Sequence, residues 1–118
     1  MGDRGVIKVY QGKGRQPVCL YTHWCGDEIY GFLKRSLARR ERWEDKAYLT
    51  RIIFCEMIKG HEDDTTGFGI STYIPDNEHT VLGVNPDKKL VTFEDEYGKV
   101  KGSVTFEQFV NRKDKYSV

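Results

Sequence analysis

Three histidines and three cysteines are present, and only His23 and Cys25 lie close together, in the stretch YTHWCGDE at residues 21–28. A thiol becomes a nucleophile when an imidazole takes its proton, and such pairs are assembled across a fold rather than side by side. His61 and His79 are the other imidazoles in the chain. No catalytic signature surrounds Cys25, and a lone thiol beside a tryptophan reads first as a small buried hydrophobe. Zinc needs about four nitrogen or sulfur ligands. His23, Cys25 and His61 fall short of that set, and no second close pair completes it. The run Glu62-Asp63-Asp64 lacks the glycine and the ligand spacing of a calcium loop. The residues therefore predict no metal, no cofactor and no complete catalytic set.

Binding chemistry is better supplied. GKGRQP (12–17) and TTGFGIS (65–71) each carry two glycines that let backbone N–H groups approach an anion. Neither matches a phosphate-loop or dinucleotide fingerprint. The first reads as a hairpin turn, and the second enters a strand instead of opening a helix. In the second, Thr66 and Ser71 bring hydroxyls and Phe68 brings a ring that can stack on a base. His23 and Trp24 sit at a strand end. His23, Trp24, Thr66, Phe68 and Ser71 form the expected ligand-binding set.

A basic run supplies the second set. LKRSLARRERW (33–43) holds Lys34, Arg35, Arg39, Arg40 and Arg42, with Glu41 as its one acid. Arg35, Arg39 and Arg42 are spaced i, i+4, i+7. A continuous helix would place them on one face, where guanidinium forks suit phosphate or carboxylate oxygens. The plainer reading is a solvated outer face. Trp24 precedes the first helical pattern and Trp43 the second, and both read as core staples that fix where the chain enters a helix.

The elements that position these residues follow from periodicity. GVIKVYQ (5–11) and VCLYTH (18–23) read as a strand hairpin. In the second strand Val18, Leu20 and Thr22 share one face, and Cys19, Tyr21 and His23 the other. From Asp27 to about Arg40, Ile29, Phe32, Leu33 and Leu37 recur at helical spacing, with Gly26 or Asp27 as N-cap. DKAYLTRIIFCEMIKG, from Asp45, reads as a second helix with a wide apolar face, and Gly60 ends it. Strands follow at 68–74, 80–85, 90–96 and 99–104. A short helix at 105–113 carries capping-box spacing at Thr105 and Gln108.

The order β-β-α-α-β-β-β-(β)-α predicts one α+β domain. It has a mostly antiparallel sheet of five to six strands, two helices on one face, a short C-terminal helix, and a meander in the second half. At 118 residues the chain can bury a core without staples. Its 19 basic and 18 acidic residues nearly cancel, so whole-chain charge gives no argument for nucleic acid. The sparse, odd cysteine count fits reduced thiols and a cytoplasmic setting. The first ten residues lack an apolar signal core, no run reaches the roughly 18 residues that span a bilayer, and Val6 breaks the myristoylation pattern. No membrane association is expected.

MGDR at the start, YTHW-G, RW-D--YL-RIIF--M, TGFGIS and DNE occur in this order over roughly residues 1–85. Together they resemble a family of small uncharacterised proteins common in bacteriophages and in bacterial and archaeal genomes. The family pattern has glycine where this chain has Cys25, which counts against thiol chemistry there. The resemblance implies a phage or mobile-element setting and carries no activity to transfer.

The expected function is therefore a non-enzymatic binding domain. Its partner is a host protein or a small anionic, nucleotide-like ligand. Nucleic-acid binding through Arg35, Arg39 and Arg42 is the alternative, and a small Cys/His enzyme is the least supported. An exposed strand edge would suffice for a homodimer.

Overall fold

The computed structural model of the chain describes residues 2–75 and 77–112. Six strands form one sheet: β1 (Gly5–Val9), β2 (Val18–Thr22), β3 (Phe68–Ser71), β4 (Val81–Asn85), β5 (Leu90–Glu94) and β6 (Val100–Thr105). Their spatial order is β3-β2-β1-β4-β5-β6. Every pairing is antiparallel except β1 with β4, which run parallel with Ile7 opposite Leu82. The helices are α1 (Ile29–Ala38), α2 (Lys46–Met57) and α3 (Phe106–Asn111), with a 3₁₀ turn at Gly26–Glu28 before α1. The fold is α+β, with helices packed on a mostly antiparallel sheet.

The meander is shorter than the connection lengths suggested. It holds β4, β5 and β6, whereas β3 adds to the far edge beside β2. The segment 72–80 carries the chain from that edge back to β4 in the middle of the sheet. Strand periodicity specifies faces but not neighbours, so this crossover left no mark in the sequence.

One face of the sheet carries the main core. Ile7, Val9, Leu20, Leu82, Val84, Val91 and Phe93 meet Ile29, Leu33 and Leu37 of α1, Leu49, Ile53 and Met57 of α2, and Phe106 and Phe109 of α3. The helix α1 lies against the sheet, and α2 packs along α1. The helix α2 is consequently less buried than its wide apolar stripe predicted, and Tyr48 is 51% exposed. Asp45 caps α2 by accepting from Tyr48 N at 3.1 Å. Thr105 and Gln108 form the expected capping box on α3. The start of α1 differs from expectation. Its N-cap position is Glu28, with no side-chain cap hydrogen bond, because the 3₁₀ turn takes up Gly26 and Asp27.

The other face of the sheet bears a smaller cluster, Val6, Cys19 and Val81, with Tyr21 and Ile74 against it. Beside it lies a buried charge pair. Lys8 Nζ sits 2.8 Å from Glu94 Oε1. Tyr10 Oη donates to Glu94 Oε2 at 2.6 Å, and Thr92 Oγ1 donates to the same oxygen at 2.5 Å. Gly83 makes room for this knot, since a Cβ there would fall on Thr92 Oγ1 and the Glu94 carboxylate. We expect Gly83→Ala to cost about 1–3 kcal/mol through overpacking. A thermal melt identical to wild type would show that the carboxylate can simply step aside.

Candidate functional site

The arginine run does not form one helical row. The helix α1 ends at Ala38, and Arg40 and Arg42 both adopt left-handed backbone, with φ of 55° and 57°. The i, i+4, i+7 expectation is corrected at its last member: Arg42 belongs to the linker. The helix stops because the linker must reverse direction to lay α2 along α1. Trp43 anchors that reversal, with Nε1 donating to Leu37 O at 3.1 Å and its ring edge-on to Phe106 at 5.4 Å. Arg40, not singled out as a site residue, forms a bidentate pair with Glu107 at 2.5 and 2.6 Å and ties the linker to α3.

The three expected arginines then part company. Arg35 lies 3.7 Å from Glu56, and Arg39 lies 3.9 Å from Glu56 and 2.9 Å from Glu41. Glu56 is only 8% exposed, so it is a fixed, largely desolvated counter-ion. Arg42 has no carboxylate within 4 Å among the described residues, and its guanidinium lies 4.9 Å over the Tyr48 ring. Arg39, Glu41 and Arg42 meet Arg51, Tyr48, Ile52 and Cys55 around a cavity of about 570 Å³ on the outer side of α2, where Glu41 is held by Arg39. Arg51 also lacks a carboxylate partner among the described residues. Arg51 and Tyr48 were missed because they lie on α2, outside the basic run. Only their i, i+3 spacing within the helix hinted that they share a face. A neighbouring cavity of about 610 Å³ shares Arg42 and adds Arg15 and Lys46, beside Glu44 and Asp45.

The other expected set is spread over both faces of the sheet. His23 stacks on Tyr21, with ring centroids 5.4 Å apart, on the face away from the helices. Ser71 faces the same side beside Cys19, and its Oγ donates to Tyr73 O at 2.6 Å. Phe68 points to the helix side and packs against the main core. Thr66 is exposed. Trp24 was expected in the core. It is 57% exposed instead, with its ring lying across Gly67. A backbone bond, His23 N to Gly67 O at 2.8 Å, holds Gly67 beneath the indole.

A third cavity, of about 420 Å³, gathers residues from both expected sets. Phe68 and Arg35 line it together with Cys25, His61 and Glu56. Burial and the nearby Glu28 carboxylate hold the Cys25 thiol above its ordinary range. Burial does the same for Cys19. Neither is poised as a thiolate at neutral pH. Among the described residues no three His, Cys, Asp or Glu side chains come together to hold a metal ion. Among them, too, no helix is long and apolar enough to cross a membrane. No protein-family model, curated protein or solved structure matches this chain.

Proposed function

We propose that this chain is a non-enzymatic binding domain whose arginine cleft, formed by Arg39, Arg42, Arg51 and Tyr48, holds a small nucleotide-like anion. One observation carries the reading. Two guanidiniums without carboxylate partners among the described residues converge with a half-exposed tyrosine on one cavity. Guanidinium forks match phosphate oxygens, and a phenol ring offers a face to a base. Backbone strain supports it. A left-handed conformation at a non-glycine residue costs on the order of 1 kcal/mol and persists where the fold gains something by it. At Arg42 that conformation presents the free guanidinium.

The motif resemblance over residues 1–85 supports a phage or mobile-element setting. In that setting the domain acts in the host cytoplasm, by sequestering a small anion or by docking on a host protein, as a counter-defence factor would. The shared Arg42 joins the cleft to a second basic cavity with Arg15 and Lys46, which favours single-stranded nucleic acid as the second reading.

Calorimetric titration with ATP, adenosine and tripolyphosphate tests the proposal. ATP is expected to bind most tightly, with Arg51→Ala weakening it at least tenfold. Affinity indifferent to Arg51→Ala, or no saturation by ATP, ends the small-anion reading. A short single-stranded oligonucleotide binding far more tightly than ATP, with a steep loss in salt, would move the assignment to nucleic acid. Arg42→Gly separates strain from function. Relief of the φ of 57° and the extra freedom of glycine in the unfolded chain oppose each other, so stability is expected to change by no more than about 1 kcal/mol while ATP weakens. A larger loss shows that the Tyr48 stack supports the fold.

A further inference from the structure

We propose a second ligand site, for a small aromatic carboxylate, in the cavity between the first turns of α1 and the C-terminal end of α2. The cavity measures about 420 Å³, room for a ligand of one ring with a short acid chain. Its floor is apolar. Phe32 and Met57 are buried core residues, and Phe68 packs beside them. His61 roofs one side, its ring tilted against Phe68 with centroids 5.6 Å apart. His61 Nδ1 is held 2.9 Å from Asp64 Oδ2, which fixes the imidazole plane. His61 and Phe68 are already in contact, so an entering ring would lie beside them over Phe32, in offset or edge-on packing.

Charge sets the other end. Glu56 has Lys59 at 3.3 Å, Arg35 at 3.7 Å and Arg39 at 3.9 Å. Glu56 is shared by three cations, but Arg39 is also held by Glu41 and Glu28 lines the same cavity, so the charges balance and Arg35 is the cation left with unused donors. The Arg35 contact is longer than a hydrogen bond, so Arg35 is positioned by charge and by the Phe32 ring, 5.4 Å below it. Its N–H donors make no hydrogen bond to any described residue. An entering carboxylate would take two of them in parallel while its ring covers Phe32 and Phe68. The opposite wall disfavours a second negative group, since Glu28 already faces the Cys25 thiol there. The site thus selects a monoacid over a diacid. Arg39 is shared with the arginine cleft through Glu56, whereas Arg35 and Phe68 line this site alone.

The probes are 3-phenylpropionate and 2-phenylethylamine, which share a ring and differ in the sign of their charge. Binding is read by amide chemical-shift titration of the whole chain. The acid is expected to saturate and to shift residues at 25–35 and 56–68, and the amine is expected not to. Arg35→Ala, a change at an exposed side chain that leaves the core intact, is expected to weaken the acid at least tenfold. Arg51→Ala is expected to leave it unchanged. Equal binding of acid and amine, an Arg35→Ala variant that binds the acid normally, or failure of the acid to saturate at millimolar concentration would each overturn the proposal. Loss of acid binding in Arg51→Ala would do so too, by merging the two sites into one.

Discussion

Lys8→Ala is expected to lower the free energy of unfolding by about 3–5 kcal/mol, the cost of stranding a buried charge. Lys8 is 8% exposed and Glu94 1%. With the ammonium gone, the carboxylate keeps the hydroxyls of Tyr10 and Thr92 but loses the one cation paired with it among the described residues. Urea denaturation measures the loss, and a change below about 1 kcal/mol would mean that water reaches Glu94 from the open side. Removing both charges should cost much less. Lys8→Met with Glu94→Leu is expected to recover most of the stability, since apolar isosteres often replace a buried ion pair without loss.

The same knot predicts alkaline sensitivity. Burial alone would lower the Lys8 pKa, but its bonds to Glu94 and Tyr10 outweigh burial and raise it above the ordinary 10.5. Burial and the Glu94 carboxylate raise Tyr10 above its ordinary 10.0. Both groups therefore hold their protons longer in the folded chain than in the unfolded one. Their contribution is complete below about pH 10 and is lost as pH rises through the raised values. Wild-type protein should lose stability above pH 10 more steeply than the Lys8→Met/Glu94→Leu variant. Parallel alkaline limbs would show that other groups set this loss.

Phe109→Ala is expected to cost a similar amount, about 3–5 kcal/mol, by a different route. Phe109 is fully buried, with ring centroids 4.5 Å from Tyr30 and 6.4 Å from Phe93. The helix α3 has six residues, too few to persist without its docking contacts. The truncation should release it, together with the Arg40–Glu107 pair and the face of Phe106 that meets Trp43. The expected signs are faster amide exchange through α3 and a shift in Trp43 emission. Gln108→Ala, which removes one arm of the capping box, should cost only about 1 kcal/mol. If both variants melt alike, α3 is held by its cap and not by its core ring.

Element types and most boundaries were legible because each segment has its own period. The two faces of β2 were read correctly, with Leu20 inward to the helices and Cys19 and Tyr21 outward. Position beyond one element was not legible. Nothing in FGIS tells that β3 joins β2, and nothing in GVIKV tells that β1 will lie parallel to β4. The arginine cleft was half legible. Arg39 and Arg42 stood out in the run, whereas Arg51 and Tyr48 arrive from the next helix. Arg42 reaches them by a left-handed linker that helical spacing cannot anticipate. Trp24 went the other way. Size and apolarity argued for burial, but the indole lies on the surface over Gly67, the glycine whose carbonyl His23 N bonds. The Lys8–Glu94 knot had a faint sign, a lysine set between two fully buried β-branched residues, Ile7 and Val9.

The parallel ladder between β1 and β4 has a consequence for synthesis. It divides the sheet into a block of β3-β2-β1 and a block of β4-β5-β6, and the first block emerges from the ribosome complete. Until β4 follows, the nascent chain presents the inner edge of β1, an apolar strand with open backbone donors and acceptors. Closing that seam means bringing Ile7 to Leu82 across most of the chain, a slow step for a domain of this size. The interval before closure is when the polypeptide is most exposed to misassembly with its own copies. Translation rate and chaperone supply should therefore govern its yield more than the stability of the finished fold does.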